Sequence, residues 1–280
     1  MVKVAVVQTD PAIGEIGRNI ALIEDTLETI ARSGAKLAVF PECALTGYMY
    51  GSLEEALGVA EPVPGPSARR IAAATERLGV YAVVGMLERE GHRCFNTALL
   101  AGPRGIEAVY RKTHTLCLGV DRFTTPGDIP YRVHNLPFGR IGILICYDLR
   151  FPEAARALSL ERAQAILLPT NWPVSSRVQP DVLTRARAAE NRVFVLAADR
   201  VGSERGARFL GRSQIVDPTG TVVQEAGPTN PEVLLAEVDL TEADRKHVVL
   251  QPGVHEMDLE GDRRPDLYGT LIAGAAAPVT

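Results

Sequence analysis

Short apolar runs separated by longer amphipathic stretches make up most of this chain. An apolar run of four to eight residues with turn residues on either side predicts a strand buried in a sheet. Because such runs recur along the whole chain, many strands are expected. The predicted strands lie within residues 2–8, 36–40, 81–88, 95–101, 107–112, 140–145, 163–171, 192–199, 209–218, 221–225 and 232–240.

The stretches between several of these runs have the spacing of amphipathic helices. Residues 19–32 place isoleucine and leucine side chains on one helical face. Residues 66–78 predict a second helix, since Pro66 is compatible with the first turn of a helix. Residues 179–191 predict a third helix, and another is expected to begin near Pro152.

The order of these elements indicates the fold class. Strands alternate with helices, and some β-hairpins are mixed in, which favours a layered α/β architecture. No change in composition resembles a linker, so residues 1–280 are predicted to form a single domain. Residues 251–280 lack helical periodicity and are rich in glycine, proline and alanine. We expect them to form a C-terminal tail that is used in subunit packing.

Composition and charge exclude several classes of protein. The net charge of the 280 residues is −4, which does not suggest nucleic acid or an anionic membrane as a partner. The apolar run at the N-terminus is too short for a signal peptide, so the expected location is the cytoplasm. The four cysteines form no CxxC pair, and the histidines lack metal-ligand spacing. Neither a disulfide framework nor a metal site is therefore predicted.

The segment RIGILICYDLRFPEAARAL contains the strongest candidate for chemistry. Cys146 lies at the corner between the predicted strand 140–145 and the helix expected near Pro152. The N-terminus of a helix favours a thiolate, and its free amides can stabilise an oxyanion. This position suits a nucleophile, although free cysteine is also among the most buried residue types.

Two other predicted strands end in ionisable residues. Glu42 follows the strand 36–40, and Lys112 ends the strand 107–112. In layered α/β folds the carboxyl ends of strands meet at one edge of the sheet, where functional groups collect. A carboxylate beside Cys146 can accept the thiol proton, and an ammonium can hold a developing oxyanion. We therefore interpret Glu42, Lys112 and Cys146 as a catalytic set that attacks a carbonyl or nitrile carbon.

Several segments of the chain resemble those of a known family. The segments FPECALTGY, YRKTH followed by FTTPGD, ILICYDLRFPE and RARAAENRVFVLAADRVG are similar to those of the nitrilase superfamily of carbon–nitrogen hydrolases. The resemblance continues to the DRRPDLYG stretch and covers nearly the whole chain. It places the family's glutamate, lysine and cysteine on Glu42, Lys112 and Cys146. It also implies a four-layer αββα sandwich, a homodimer or larger homo-oligomer, and no metal or organic cofactor.

One position departs from the resembled pattern. Many members carry a second glutamate after the catalytic lysine, but no glutamate lies between Lys112 and Cys146. The nearest suitable acid is Asp121, which is one methylene shorter, so its carboxylate would lie roughly 1.5 Å further back. Either Asp121 takes this role through a shifted loop, or the role is missing. Asp128 in the PGD turn is interpreted as structural.

The resemblance also implies which residues surround the substrate. The backbone N–H of Tyr147 is expected at the oxyanion site, and the loops that carry Tyr48, Asn171 and Trp172 are expected to form the walls of the pocket. A separate set in the RARAAENR segment is interpreted as a structural network under the site. It consists of Arg187, Glu190 and Asn191.

These residues predict hydrolysis of a small amide to a carboxylic acid and ammonia through a thioester on Cys146. The aromatic walls favour a short-chain aliphatic amide. A small nitrile is the second candidate, and an N-carbamoyl amine or an ω-amide of a dicarboxylate is a further alternative. An ω-amide would need an arginine for its distal carboxylate, and the sequence identifies none. A binding protein on the same fold is the alternative to an enzyme.

Overall fold

The computed structural model describes residues 1–273. The chain divides into two compact units, Met1–Asp244 and Arg245–Thr280. The single domain predicted over residues 1–280, with residues 251–280 as a tail used in subunit packing, stays a prediction. Part of the predicted tail, residues 274–280, lies outside the described residues. No helix among residues 1–273 is long and apolar enough to cross a membrane.

Strands outnumber helices in this structure. The α-helices, in chain order, are α1 (Ile16–Arg32), α2 (Leu53–Leu57), α3 (Pro66–Leu78), α4 (Pro152–Leu160) and α5 (Thr184–Asn191). The strands are β1 (Val2–Gln8), β2 (Leu37–Val39), β3 (Tyr81–Glu90), β4 (Arg93–Gly102), β5 (Gly105–Arg111), β6 (Val133–Leu136), β7 (Gly139–Ile143), β8 (Ala165–Pro169), β9 (Phe194–Ala198), β10 (Ser203–Glu204), β11 (Ala207–Arg208), β12 (Gln214–Val216), β13 (Val222–Glu225), β14 (Glu232–Val238), β15 (His247–Gln251) and β16 (His255–Asp258).

Two six-stranded sheets form the centre of the first unit. The first has the order β14-β1-β2-β3-β4-β5, and the second has the order β13-β12-β9-β8-β7-β6. Strands β1, β2 and β3 are parallel, as are β7, β8 and β9, while the outer strands pair antiparallel. The parallel strands are joined through helices, as parallel pairing requires.

Alternation along the strands of the first sheet separates two cores. In β1, Val4 and Val6 belong to the core shared with the second sheet, whereas Ala5 and Val7 belong to the core beneath α1 and α3. Helix α4 packs on the other face of the second sheet, where a Cβ on Gly142 of β7 would lie 2.7 Å from Leu158. Both faces of each sheet are thereby buried. The layers are helix, sheet, sheet and helix, which confirms the predicted αββα sandwich.

Most predicted elements are present, with two differences at helix ends. Helix α1 begins at Ile16 rather than at residue 19, since Gly14 accommodates a left-handed turn just before it. The helix predicted over residues 179–191 is a π-helical turn at Gln179–Leu183 followed by α5. In the second unit, β15 and β16 form an antiparallel hairpin.

Candidate active site

The three residues of the predicted catalytic set follow three strands. Glu42 comes after β2, Lys112 directly after β5, and Cys146 after β7. The turn that carries Glu42 lies directly on Gly85 of β3, where an added Cβ would come within 2.4 Å of the backbone. A glycine at this position lets the turn pack against the sheet.

Lys112 is the centre of a buried cluster of charges. Its Nζ atom donates a hydrogen bond of 2.7 Å to Glu42 Oε1 and a second one to Asp121 Oδ2. All three side chains are fully removed from solvent. The structure therefore brings Asp121 into direct contact with Lys112, at the position considered for a fourth carboxylate.

Asn96 of β4 connects the two carboxylates. Its Nδ2 group donates to Glu42 Oε1 at 2.6 Å and to Asp121 Oδ1 at 2.9 Å. The other oxygen of Glu42, Oε2, is buried and has no hydrogen-bond partner among the described residues. Glu42 is thus fixed through one oxygen, while the other is free to accept a proton.

The loop that carries Asp121 is held close to Lys112 by Tyr48. The Tyr48 hydroxyl donates to Asp121 Oδ2 at 3.2 Å. The backbone carbonyl of Tyr48 accepts a hydrogen bond from the N–H of Val120 at 2.8 Å. Gly119 precedes them with φ +49°, and a Cβ there would lie 2.6 Å from the Tyr48 ring. This close approach explains how a side chain shorter than glutamate reaches Lys112.

Glu204 in turn holds the backbone of the Tyr48 loop. Its Oε1 atom accepts the N–H groups of Tyr48, at 2.8 Å, and Met49. Its Oε2 atom accepts from Arg200 Nη1 at 2.6 Å, and Arg200 also donates to Asp10 at 2.8 Å. A buried ion pair therefore fixes one wall of the site.

Cys146 occupies a strained corner. Its φ is +45°, in the left-handed region that a non-glycine residue seldom adopts, and it begins a 3-10 turn, Cys146–Arg150. Asp148 stabilises this turn by accepting the N–H of Ile145 at 3.0 Å and the N–H of His114 at 2.9 Å. The same carboxylate thus ties the Cys146 corner to the loop that follows Lys112.

The electrostatics of Cys146 correct one expectation. The predicted helix N-terminus is a short 3-10 turn that precedes α4, and burial raises the pKa of the thiol well above its usual value. The negative charge of Glu42 raises this pKa further, while Lys112 and the hydroxyl of Thr170 lower it. The resting residue is therefore a neutral thiol, which needs a base to react.

Burial also raises the pKa of Glu42. Desolvation raises the pKa of Glu42, against the lowering effect of Lys112, and the charge of Asp121 raises it further. For Lys112, burial lowers the pKa, but Asp121 and Glu42 outweigh it, so its pKa lies well above the usual value and the ammonium is retained.

A small cavity opens beside Cys146. Its volume is about 80 Å³, which corresponds to the space of two or three water molecules. The predicted wall residues are all found there. The lining consists of Tyr48, Leu116, Leu118, Cys146, Tyr147, Arg150, Asn171, Trp172, Pro173, Ser176 and Gln179.

The RARAAENR segment forms the predicted network. Arg187 Nη1 donates to Glu190 at 3.0 Å, and Asn191 donates to the carbonyl of Arg187 at 3.0 Å. Arg187 also donates to the carbonyls of Leu149 and Arg150, at 3.0 and 3.2 Å. This network supports the turn that carries Cys146. Within residues 1–273, no cluster of three or more acidic, histidine or cysteine side chains is arranged to hold a metal.

Sequence reasoning missed several residues of the site. Asn96 could have been found as a polar residue inside an otherwise buried strand, and Asp148 as a carboxylate two residues after the thiol. Glu204 gave no local signal, because its contacts depend on a loop distant in sequence. Arg150 was also missed, although the structure places it in the cavity wall.

Comparison with known proteins identifies the family of this chain. The family model for carbon-nitrogen hydrolase matches residues 3–246. The chain belongs to the carbon–nitrogen hydrolase family. The resemblance to the nitrilase superfamily is thereby confirmed.

Individual carbon–nitrogen hydrolases align over almost the whole chain. A nitrilase from Pyrococcus abyssi is 38% identical, covering 96% of this chain and 99% of the relative. An (R)-stereoselective amidase from Pseudomonas sp. is 32% identical, covering 98% and 99%. The structure of an amidase from Nesterenkonia sp. AN1 superposes with a TM-score of 0.79 at 26% identity, covering 95% of each chain. That structure carries the acetamide moiety of fluoroacetamide added covalently at the active-site cysteine.

Proposed function

We propose that this carbon–nitrogen hydrolase cleaves the C–N bond of small linear amides, with Cys146 as nucleophile. The observation that carries the proposal is the arrangement around Glu42. One of its oxygens is held by Lys112 and Asn96, and the other is buried without a partner among the described residues. A base held in this way, close enough for its charge to raise the pKa of Cys146, can receive the thiol proton.

The first half of the reaction forms a thioester. Glu42 Oε2 takes the proton of Cys146 as the sulfur attacks the amide carbon, because the raised pKa of the thiol leaves it protonated before that step. The oxyanion is stabilised by the Lys112 ammonium and the backbone N–H of Tyr147. Protonated Glu42 then gives its proton to the leaving nitrogen, and ammonia departs.

The second half of the reaction hydrolyses the thioester. Glu42 removes a proton from water, and the hydroxide attacks the carbonyl carbon. The carbon–sulfur bond then breaks, and the sulfur takes the proton back from Glu42 to restore the thiol. Asp121 acts on the ammonium and on the amide nitrogen. Its carboxylate keeps Lys112 charged and accepts a hydrogen bond from the substrate –NH₂ group.

The size of the cavity supports a short substrate, and Tyr48 and Trp172 give it aromatic walls. A cysteine variant of the Nesterenkonia amidase was solved in complex with butyramide. A small nitrile is the second candidate, because the relative from Pyrococcus abyssi is named a nitrilase. Amide and nitrile hydrolysis would use the same nucleophile.

Ammonia release across a panel of substrates tests the proposal. The panel contains acetamide, propionamide, butyramide, the corresponding nitriles and a carbamoyl amine. We expect release from the amides by the wild-type protein and none by C146A, with an unchanged circular dichroism spectrum. Release from nitriles alone would support the second candidate, and release from no compound would favour a binding protein.

We also propose a homodimer, which the family resemblance implies. Its mass in solution, measured by light scattering after size-exclusion chromatography, tests this. We expect about twice the chain mass of 30.2 kDa. A single-chain mass at micromolar concentration would contradict it.

A further inference from the structure

An acid that the proposed mechanism does not use lies behind the cavity wall. Asp199 directly follows β9, and its side chain is fully buried. Its Oδ1 atom accepts two backbone N–H groups, those of Trp172 and Arg200, both at 2.9 Å. Trp172 lines the cavity beside Cys146. Asp199 therefore holds the backbone of a cavity residue from behind.

The position of this acid is itself fixed. The N–H of Asp199 donates to Ser213 Oγ at 2.9 Å, and Ser213 Oγ donates to Gln8 Oε1 at 2.9 Å. Trp172 is held from its other side as well, since its carbonyl accepts from the N–H of Leu210 at 2.8 Å. The hydrogen bond from Trp172 to Asp199 thus joins two anchored segments of backbone.

The second oxygen of Asp199 lies in an environment that suits a neutral acid. Oδ2 is buried and has no hydrogen-bond partner within residues 1–273. The charge of Glu42 acts on Asp199, and the guanidinium of Arg200 binds other carboxylates. Burial raises the pKa of Asp199 well above its usual value, against the lowering effect of the two backbone N–H groups. A protonated side chain fits here, because an isolated buried charge is unfavourable.

We propose that Asp199 is a positioning residue, which as an uncharged acid holds Trp172 and the preceding Asn171 in the wall of the substrate cavity. The inference rests on the proposed function, because it concerns the same cavity. An uncharged acid keeps Oδ1 as an acceptor for both N–H groups and adds no further negative charge that acts on Glu42. The proposed base thereby keeps Asp121 as the one acid bound to the same ammonium.

Two substitutions at Asp199 separate its hydrogen bonds from its charge. D199A removes the acceptor, so Trp172 should move and kcat/KM for butyramide should fall about 10- to 100-fold. D199N keeps an uncharged acceptor oxygen and should restore kcat/KM to near the wild-type value. An equal loss in D199A and D199N would overturn the proposal.

The matched control removes the same kind of contact away from the cavity. Asp217 also accepts two backbone N–H groups, those of Thr219 and Thr221, in a turn that does not line the cavity. D217A should leave kcat/KM unchanged. A loss in D217A equal to that in D199A would mean that the effect is not specific to the cavity wall.

The pH profile of D199N tests the uncharged state. D199N removes no charge from an uncharged acid, so the acid limb of kcat/KM should stay where the wild type has it. An ionised Asp199 would raise the pKa of Glu42, and its removal would move the acid limb to lower pH. Such a shift in D199N would overturn the uncharged state.

Unfolding gives the same test without turnover. The folded protein holds the proton of Asp199 where the unfolded chain releases it, because its pKa is raised above the usual 3.8. The stability of the wild type relative to D199N should therefore fall as the pH rises, by up to about tenfold in the folding equilibrium constant between pH 5 and pH 6. A ratio that does not change with pH would contradict the uncharged state. These D199N measurements hold even where D199A does not fold.

Fluorescence separates this inference from the proposed function, because Trp172 is the only tryptophan of the chain. Its side chain is buried, so D199A should shift the emission to longer wavelength and increase quenching by acrylamide. D199N and D217A should match the wild type. This pattern in a protein that hydrolyses no amide would refute the proposed function and leave the inference standing. Turnover of butyramide, with emission and rate unchanged in D199A, would overturn the inference and leave the proposed function standing.

Discussion

Lys112 donates a hydrogen bond to Asp121 in the interior of the protein, where both side chains are closed to solvent. The same ammonium donates to Glu42, so one cation is shared between two carboxylates. Because Asn96 links the two acids as well, a change at any member is expected to alter the others.

Removal of the Asp121 charge should change both the rate and its pH dependence. D121N should lower kcat/KM about 100-fold, a loss typical of removing one preorganised electrostatic group. Activity needs ionised Glu42, so it falls as the pH drops through the pKa of Glu42, which is raised above 4.5. The charge of Asp121 contributes to that rise, and its loss should move the acid limb to lower pH.

The pH profile of kcat/KM measures this shift. D128N is the control, because Asp128 lies in the same loop but is exposed and pairs with Arg111. It should keep the wild-type profile. An acid limb that stays in place in D121N would show that Asp121 does not act on Glu42.

The contact between Gly119 and Tyr48 should limit substitution. G119A forces a Cβ to within 2.6 Å of the Tyr48 ring at a φ of +49°, so it should displace the Asp121 turn and destabilise the protein by about 1–3 kcal/mol. Gly206 has a φ of +87° and open space around it, so G206A isolates the backbone strain. Urea unfolding and kcat/KM of both variants give the difference, and equal losses would mean that the contact has no role.

Glu204 is predicted to act through Tyr48. E204Q replaces an oxygen that accepts from Arg200 with an amide that cannot pair in the same way, so the Tyr48 loop should shift and kcat/KM should fall about tenfold. In a Y48F background the further loss should be smaller, since the Tyr48 hydroxyl links this loop to Asp121. The double-mutant cycle measures this.

The control for that cycle is an exposed pair. Glu55 binds Arg205 at the surface, and E55Q should change neither kcat/KM nor the Y48F effect. Additive losses in E204Q and Y48F would indicate that Glu204 contributes only to stability.

Lys112 is predicted to carry a pH-dependent part of the stability. K112M leaves Glu42 and Asp121 buried without a cation, which should cost about 3–5 kcal/mol near neutral pH. Burial already raises the pKa of Glu42, and without the Lys112 ammonium the folded state would bind the Glu42 proton still more tightly than the unfolded state does. The protonated form stabilises the fold at low pH, and this stability is lost as the pH rises through the folded pKa of Glu42.

Urea unfolding at pH 5.5 and pH 8 measures whether the stability of K112M falls as the pH rises. K112M should gain stability relative to wild type at the lower pH. R70M, which breaks an exposed pair with Glu24, should change stability by less than about 1 kcal/mol at both pH values. A K112M deficit that is equal at the two pH values would argue against buried, charged acids.

The parts of the fold that the sequence predicts are those set by local patterns. The alternation of Val4 and Ala5 between two cores follows directly from the period of a strand. The family motifs identify Glu42, Lys112 and Cys146 because each follows a strand. The pKa of Cys146 was not predictable, since burial depends on packing from several distant segments.

The positions of Asp121 and Glu204 show the same limit. Whether Asp121 reaches Lys112 depends on the close contact of Gly119 with Tyr48, which no spacing in the sequence reveals. The role of Glu204 depends on hydrogen bonds to a loop more than a hundred residues away in sequence. The boundary after Asp244 was also hidden, because no change of composition marks it.

The proposed reaction requires an acyl intermediate between Cys146 and a small amide. Mass spectrometry of the protein, quenched with acid during turnover of butyramide, detects this intermediate. We expect a mass increase of one acyl group on the peptide that contains Cys146, absent in C146A and lost as ammonia release ends. Ammonia release without any adduct on Cys146, or with C146A within tenfold of the wild-type rate, would contradict it.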